Sequence, residues 1–246
     1  MSDRHNGAPW SWVSGVLRTS LFLGLTTVLA GSSLAAQSPD GETGTLVVLN
    51  KGEATATFID VASGEIRATL PTGEGPHELA MTGDGLWAVS TDYNDGNSLT
   101  VFDVANASVA RTIDLSDHPR PHGAFFLPGD SIIAVTSESS RSVVLVNPFT
   151  GRTVGAVSTE AGGSHMVAVT GDGATLYTGD MQSGTVSRLD VASMTKARSY
   201  DVPPQPEAVT VSRDGRHVWV GSNAEGLVSV VDTETGDVSS PLSSFQ

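Results

Sequence analysis

The chain has no cysteine in its 246 residues. That excludes a disulfide framework, a thiolate zinc finger and a thiol nucleophile. Positive charge is scarce as well. Thirteen Lys and Arg stand against 27 Asp and Glu, for a net charge of −14, and the basic residues form no run. Such a chain repels a phosphate backbone, so nucleic acid is not expected as a partner and cations or basic surfaces are favoured. Several catalytic signatures are absent: the G-x-S-x-G elbow, the P-loop, G-x-G-x-x-G and H-E-x-x-H. A helical 3.6-residue spacing of apolar positions is missing too. What is plentiful is punctuation, with 27 glycines and 12 prolines.

Residues 1–35 differ from the rest. Arg4 and Arg18 precede the short apolar run "LFLGLTTVLAG" (Leu21 to Gly31), and the small residues "SSLAA" follow. Positive flank, short apolar core and small-residue exit are the parts of a secretory signal. Eleven residues are too few to cross a bilayer, which takes about 20 in a helix. The expectation is therefore a signal peptide over 1–35 and a linker over 36–44. The mature protein is expected to be periplasmic or extracellular, with no membrane span after cleavage.

From residue 45 onward two features recur in step. The first is an Asp or Asn anchor in "FIDVASGE", "VFDVANAS", "LVNPFTGR", "RLDVASMT" and "VVDTETGD", at Asp60, Asp103, Asn147, Asp190 and Asp232. The second is "GPHELAMTGDG", "RPHGAFFLPGDS", "GSHMVAVTGDG" and "QPEAVTVSRDG", beginning at Gly75, Arg120, Gly163 and Gln205. Both repeat at about 43 residues, and a period of about 40–45 with four short strands signals a β-propeller blade. One unit reads as strand A "ELAM", strand B "LWAVST", strand C "SLTVFDV" and strand D "VARTIDL", separated by Gly, Asp and Asn. The expected fold class is all-β: a propeller of four-stranded blades over 45–71, 75–115, 120–158, 163–202 and 205–242. The first of these lacks its A strand.

On "LWAVST", "LYTGD", "VWVGSN", "VSVVDTETGDV" and the Pro-to-Asp-Gly strands, the chain resembles the YVTN-type β-propeller repeats, including the YncE-like proteins. The resemblance covers residues 45–242 and is specific for fold rather than function. Related propellers close with seven blades. The resemblance thus implies a fragment lacking about two blades, with a closed five-bladed ring as the alternative. The Pro-His strands also look like those of lactonase-like propellers, and the repeats resemble the heavy subunits of quinoprotein amine dehydrogenases.

Radial blades bring equivalent residues together at the axis. His77, His122 and His165 are expected at one channel mouth, with Glu207 in the fourth equivalent place. The B–C loops return to the same face and are expected to add an acidic rim from Asp92, Glu138 and Asp180. Three imidazoles suit a divalent transition metal, for which His77, His122 and His165 are the candidate ligands. Lining of a wet channel is the alternative for these rings. The resulting expectation is a binding module that takes a small molecule, a metal or a protein at the histidine face. The alternative is a lactone hydrolase in which His122, beside Arg120, activates water. Trp87, Tyr177 and Trp219, at similar places on strand B, are expected to pack between blades.

Overall fold

A computed structural model describes residues 41–243. The signal-like segment 1–35 and most of the linker lie outside the described residues. Every regular element among the described residues is a strand. The first sheet holds β1 (Thr45–Asn50), β2 (Thr55–Asp60) and β3 (Ile66–Pro71). The second holds β4 (Pro76–Met81), β5 (Trp87–Asp92), β6 (Ser98–Asp103) and β7 (Ser108–Asp114). The third holds β8 (Pro121–Phe126), β9 (Ile133–Ser137), β10 (Ser142–Asn147) and β11 (Arg152–Ser158). The fourth holds β12 (Ser164–Val169), β13 (Thr175–Asp180), β14 (Thr185–Asp190) and β15 (Thr195–Asp201). The fifth holds β16 (Pro206–Val211), β17 (His217–Ser222), β18 (Leu227–Asp232) and β19 (Val238–Ser243). Each sheet is an antiparallel meander in sequence order.

The two sequence repeats are the two recurrent turns. At the A–B turn, Thr82 donates to Asp84 at 2.6 Å, the Leu86 amide donates to Asp84 at 2.9 Å, and Gly85 takes a φ of 70°. A left-handed residue there favours glycine. Thr170-Asp172-Gly173 and Ser212-Asp214-Gly215 repeat the device. At the C–D turn, the anchor carboxylate or amide accepts turn amides. Asp60 accepts from Ser63, Asp103 from Asn106, Asn147 from Thr150, Asp190 from Ser193 and Asp232 from Thr235. These are side-chain turns that Asp and Asn form and longer residues do not.

The core is divided among the interfaces between successive sheets. Ala56 and Phe58 meet Ala88 and Phe102 between the first and second sheets. Val89, Leu99 and Val101 meet Ile133, Val135 and Val144 between the second and third. Val143 and Leu145 meet Val167, Leu176 and Leu189 between the third and fourth. Tyr177 and Val186 meet Val218, Val220 and Val231 between the fourth and fifth. The first strands β4, β8, β12 and β16 pack against one another in series, while outer strands meet less. That is the radial arrangement of a β-propeller, with the A strands innermost. The middle strands β6 and β10 are buried on both faces, which in β10 goes with the unbroken apolar run Val143 to Val146. The outer strand β7 is mostly exposed, and only near its end does Ile113 turn inward between exposed Thr112 and Asp114.

Trp87 and Tyr177 pack between sheets as expected. Trp87 meets Phe149 of the next sheet edge-on at 5.4 Å, and Tyr177 is fully buried. Trp219 differs. It is 40% exposed, because β17 belongs to the last described sheet and no following sheet covers it.

Candidate functional site at the channel mouth

Pro76, Pro121 and Pro206 open β4, β8 and β16, and Ser164 opens β12. The next residue on each strand is His77, His122, His165 or Glu207. A threonine near the end of the preceding sheet's second strand sets the register between sheets. The Thr91 hydroxyl donates to the His122 carbonyl at 2.9 Å and accepts from the Glu78 amide. Thr136 donates to the His165 carbonyl at 2.5 Å and accepts from the Gly123 amide. Gly123 permits this approach, since a Cβ there would sit 2.7 Å from the His165 carbonyl oxygen. At the next interface Gly179 replaces the threonine, and a Cβ there would collide with the Pro206 carbonyl oxygen.

The three imidazoles therefore meet. The His77 and His122 rings are 4.5 Å apart, edge to face, and the His122 and His165 rings are 3.6 Å apart at 31°. A second layer comes from the residue just after the B strand: Lys51, Tyr93 and Glu138. Each faces the histidine of the following sheet. The Lys51 ammonium donates to His77 Nδ1 at 3.0 Å. The Tyr93 ring lies 4.9 Å from that of His122. Glu138 Oε1 accepts from His165 Nδ1 at 2.7 Å.

These contacts fix the proton positions. Lys carries no acceptor, so His77 Nδ1 is the lone-pair nitrogen and Nε2 holds the ring proton. A carboxylate only accepts, so His165 Nδ1 carries a proton. Glu138 also accepts at Oε2 from the Tyr93 hydroxyl at 2.7 Å and from Arg120 at 3.0 Å. Arg120 in turn contacts the Tyr93 hydroxyl. Burial alone would raise the Glu138 carboxyl, but the donors His165, Tyr93 and Arg120 outweigh it and hold it at about 2. Burial, with Glu138 beside it, pushes the Tyr93 phenol up to about 12. Burial lowers His77, and Lys51 lowers it further.

His122 is the innermost of the three, only 2% exposed. Burial first, and then His165 and His77, push it down to about 3, so the ring is neutral. Its Nδ1 is the one buried side-chain nitrogen or oxygen without a hydrogen-bond partner among the described residues. Such an atom is a net cost to the fold unless something else occupies it.

Beside the rings lies a cavity of about 470 Å³. Its walls include His77, His122, His165, the carboxylates Glu78 and Glu207, and the apolar side of Met166 and Val209. Among the described residues no Lys or Arg lines it. Burial raises the Glu78 carboxyl, opposed by His165 and Lys51.

Four of the expected site residues are thus brought together: His77, His122, His165 and Glu207 share the cavity, and Glu138 supports His165 from behind. Asp92 and Asp180 are placed otherwise. Each is fully buried and turned into its own sheet. Asp92 accepts from Ser98 and Thr100, and Asp180 from Ser187, Thr185 and Thr178. Burial raises both carboxyls, while these hydroxyls oppose the shift. The acidic rim at the cavity therefore consists of Glu78 and Glu207 instead. The offset is one residue. Asp92 and Asp180 close their strands as Ser137 does, and the repeat partners of Glu138 are Tyr93 and Met181. Neighbours along a strand point to opposite faces. Arg120 is committed to Glu138 and Tyr93 rather than to His122. Sequence reasoning missed Lys51, Tyr93 and Glu78. Aligning the residue after each B strand would have found the first two.

No known family profile matches the chain, and no curated protein matches it. Solved structures do. Hydrazine synthase from Kuenenia stuttgartiensis superposes with a TM-score of 0.68 at 20% identity, over 84% of this chain and 64% of that one. A functionally unknown protein from Desulfotomaculum acetoxidans DSM 771 gives 0.67 at 18% identity, over 80% of this chain and 65% of that one. The chain thus spans a little under two thirds of the length of these structures. At such identity the likeness carries the fold and no chemistry.

Proposed function

We propose that this is a propeller binding module of the YVTN repeat type, exported by its signal-like N-terminal segment, whose channel-mouth cavity takes a small, positively charged ligand with an apolar body. The observation that carries the reading is the cavity wall. It offers lone pairs and carboxylates from His122, Glu78 and Glu207, apolar surface from Met166 and Val209, and, among the described residues, no Lys or Arg. A pocket of this size is ample for a ring-bearing molecule, and a few convergent polar groups in an apolar wall are the usual make-up of a small-molecule site. The acceptor-rich wall would stabilise a cation and reject an anion of the same shape.

Benzamidine and benzoate make a matched pair for the test: one ring size, opposite charge. Calorimetric titration of the full chain is expected to show saturable benzamidine binding, weakened about tenfold or more in Glu207→Gln, with benzoate inert. A tenfold loss is about 1.4 kcal/mol, within reach of one charge-assisted contact. Benzoate binding as well as benzamidine does, or neither binding, would rule the reading out.

A further inference from the structure

We infer that the inner end of the same site is a divalent transition-metal site formed by His122, His165 and Glu138. This rests on the channel mouth being a binding site for positive charge, and it names the ion as a ligand class distinct from the organic cation.

The structure places one donor atom from each of these three residues within 4.8 Å of the others. They come from β8, β12 and the residue just after β9, on sheets locked by the Thr136 bridge, so the donor set is held by backbone packing. His122 Nδ1 is buried and has no partner, an acceptor or donor position that the fold itself leaves unfilled. His165 and Glu138 have side chains only 13% exposed and already touch at 2.7 Å. Two imidazoles and one carboxylate are a set that zinc and its neighbours accept, and three protein ligands leave a coordination position open. Ligation through His165 Nδ1 moves that ring proton to Nε2, so nothing else need be gained or lost.

A second triad, His77, Glu78 and His122, meets the same spacing. It is the poorer site. The His77 lone pair is engaged by the Lys51 ammonium at 3.0 Å, whose charge also opposes a second cation there. In contrast, the Arg120 charge near Glu138 is matched at Oε2, leaving Oε1 for the ion. Of the three histidines expected as ligands, His77 thus drops out and Glu138 enters.

The test uses the full chain, freed of metal with a chelator and titrated with cobalt(II), whose visible absorption reports its ligands. Zinc then serves as competitor. One equivalent is expected to bind with a spectrum of nitrogen and oxygen ligation, and zinc is expected to displace it. His122→Leu and Glu138→Gln should each weaken binding about tenfold or more, while His217→Ala, remote on β17, should not. Far-UV circular dichroism checks that the variants fold. The wild-type titration needs no variant: absence of saturable one-to-one binding overturns the inference, as does binding unchanged in folded His122→Leu. Benzamidine binding without metal binding sinks this inference alone, whereas loss of both sinks the binding module with it.

Discussion

Replacing His122 by leucine should make the metal-free protein more stable while removing ligand binding. The imidazole is 2% exposed and its Nδ1 has no partner. Removing an unsatisfied buried polar group is worth about 1–3 kcal/mol. Leucine is close to histidine in volume, and near-isosteric changes in a packed site cost up to about 1.5 kcal/mol. The lost contact with the His165 ring at 3.6 Å falls within that cost. The gain wins, by about 1 kcal/mol. With a urea m-value of about 2 kcal/mol per M, the unfolding midpoint rises by about 0.5 M. The assay is urea denaturation followed by tryptophan fluorescence, with chelator present so that no bound ion adds stability to one variant only. A midpoint lower by about 1 M, as for an ordinary core truncation, would mean that Nδ1 is satisfied in solution and that the reasoning is wrong.

The same residue sets a pH dependence. Its folded-state pKa, about 3, lies below the ordinary 6.5, so the unfolded chain binds the extra proton between these values. Stability should fall as pH drops from 6.5 towards 3, and the fall should be shallower in His122→Leu; parallel profiles would contradict this. Gly123→Ala would bring a Cβ to 2.7 Å from the His165 carbonyl oxygen. It should cost about 1–3 kcal/mol and weaken cobalt binding by spreading the two rings, measured by urea unfolding and titration together. Thr136→Val removes the hydroxyl that accepts from Gly123 and donates to His165, at an expected cost of about 1–3 kcal/mol in the same unfolding assay. Trp87→Ala should cost about 3 kcal/mol, whereas Trp219→Ala should cost about 0.5 kcal/mol, because only Trp87 is covered by a following sheet. Equal losses would indicate that Trp219 is covered in solution.

Most of the fold could be read from spacing. The strand runs beginning at Ser98 and Val109 match β6 and β7 to within a residue, because turn chemistry at Asp60, Asp103 and their repeats marks every blade. The convergence of His77, His122 and His165 followed from the radial arrangement alone. What spacing could not supply was the direction of side chains at strand ends. Asp92 and Glu138 both looked like loop acids, yet one closes a strand and points into its sheet while the other follows a strand and faces the channel. Lys51 and Tyr93 were hidden for a different reason. Their residue types differ at one repeat position, so no shared motif marks them; aligning the residue after each B strand brings them out, and the geometry then shows each facing the histidine of the next sheet. The burial of Trp219 depended on a neighbour, which a single repeat unit does not encode.

The shared cavity of the three inner-strand histidines is tested most directly by histidine-selective nitrogen NMR of the full chain during a benzamidine titration. The ring signals of His77, His122 and His165 should move together along one saturation curve, while those of His118 and His217 stay in place. Independent or uniformly weak shifts across all of these signals would contradict a common site.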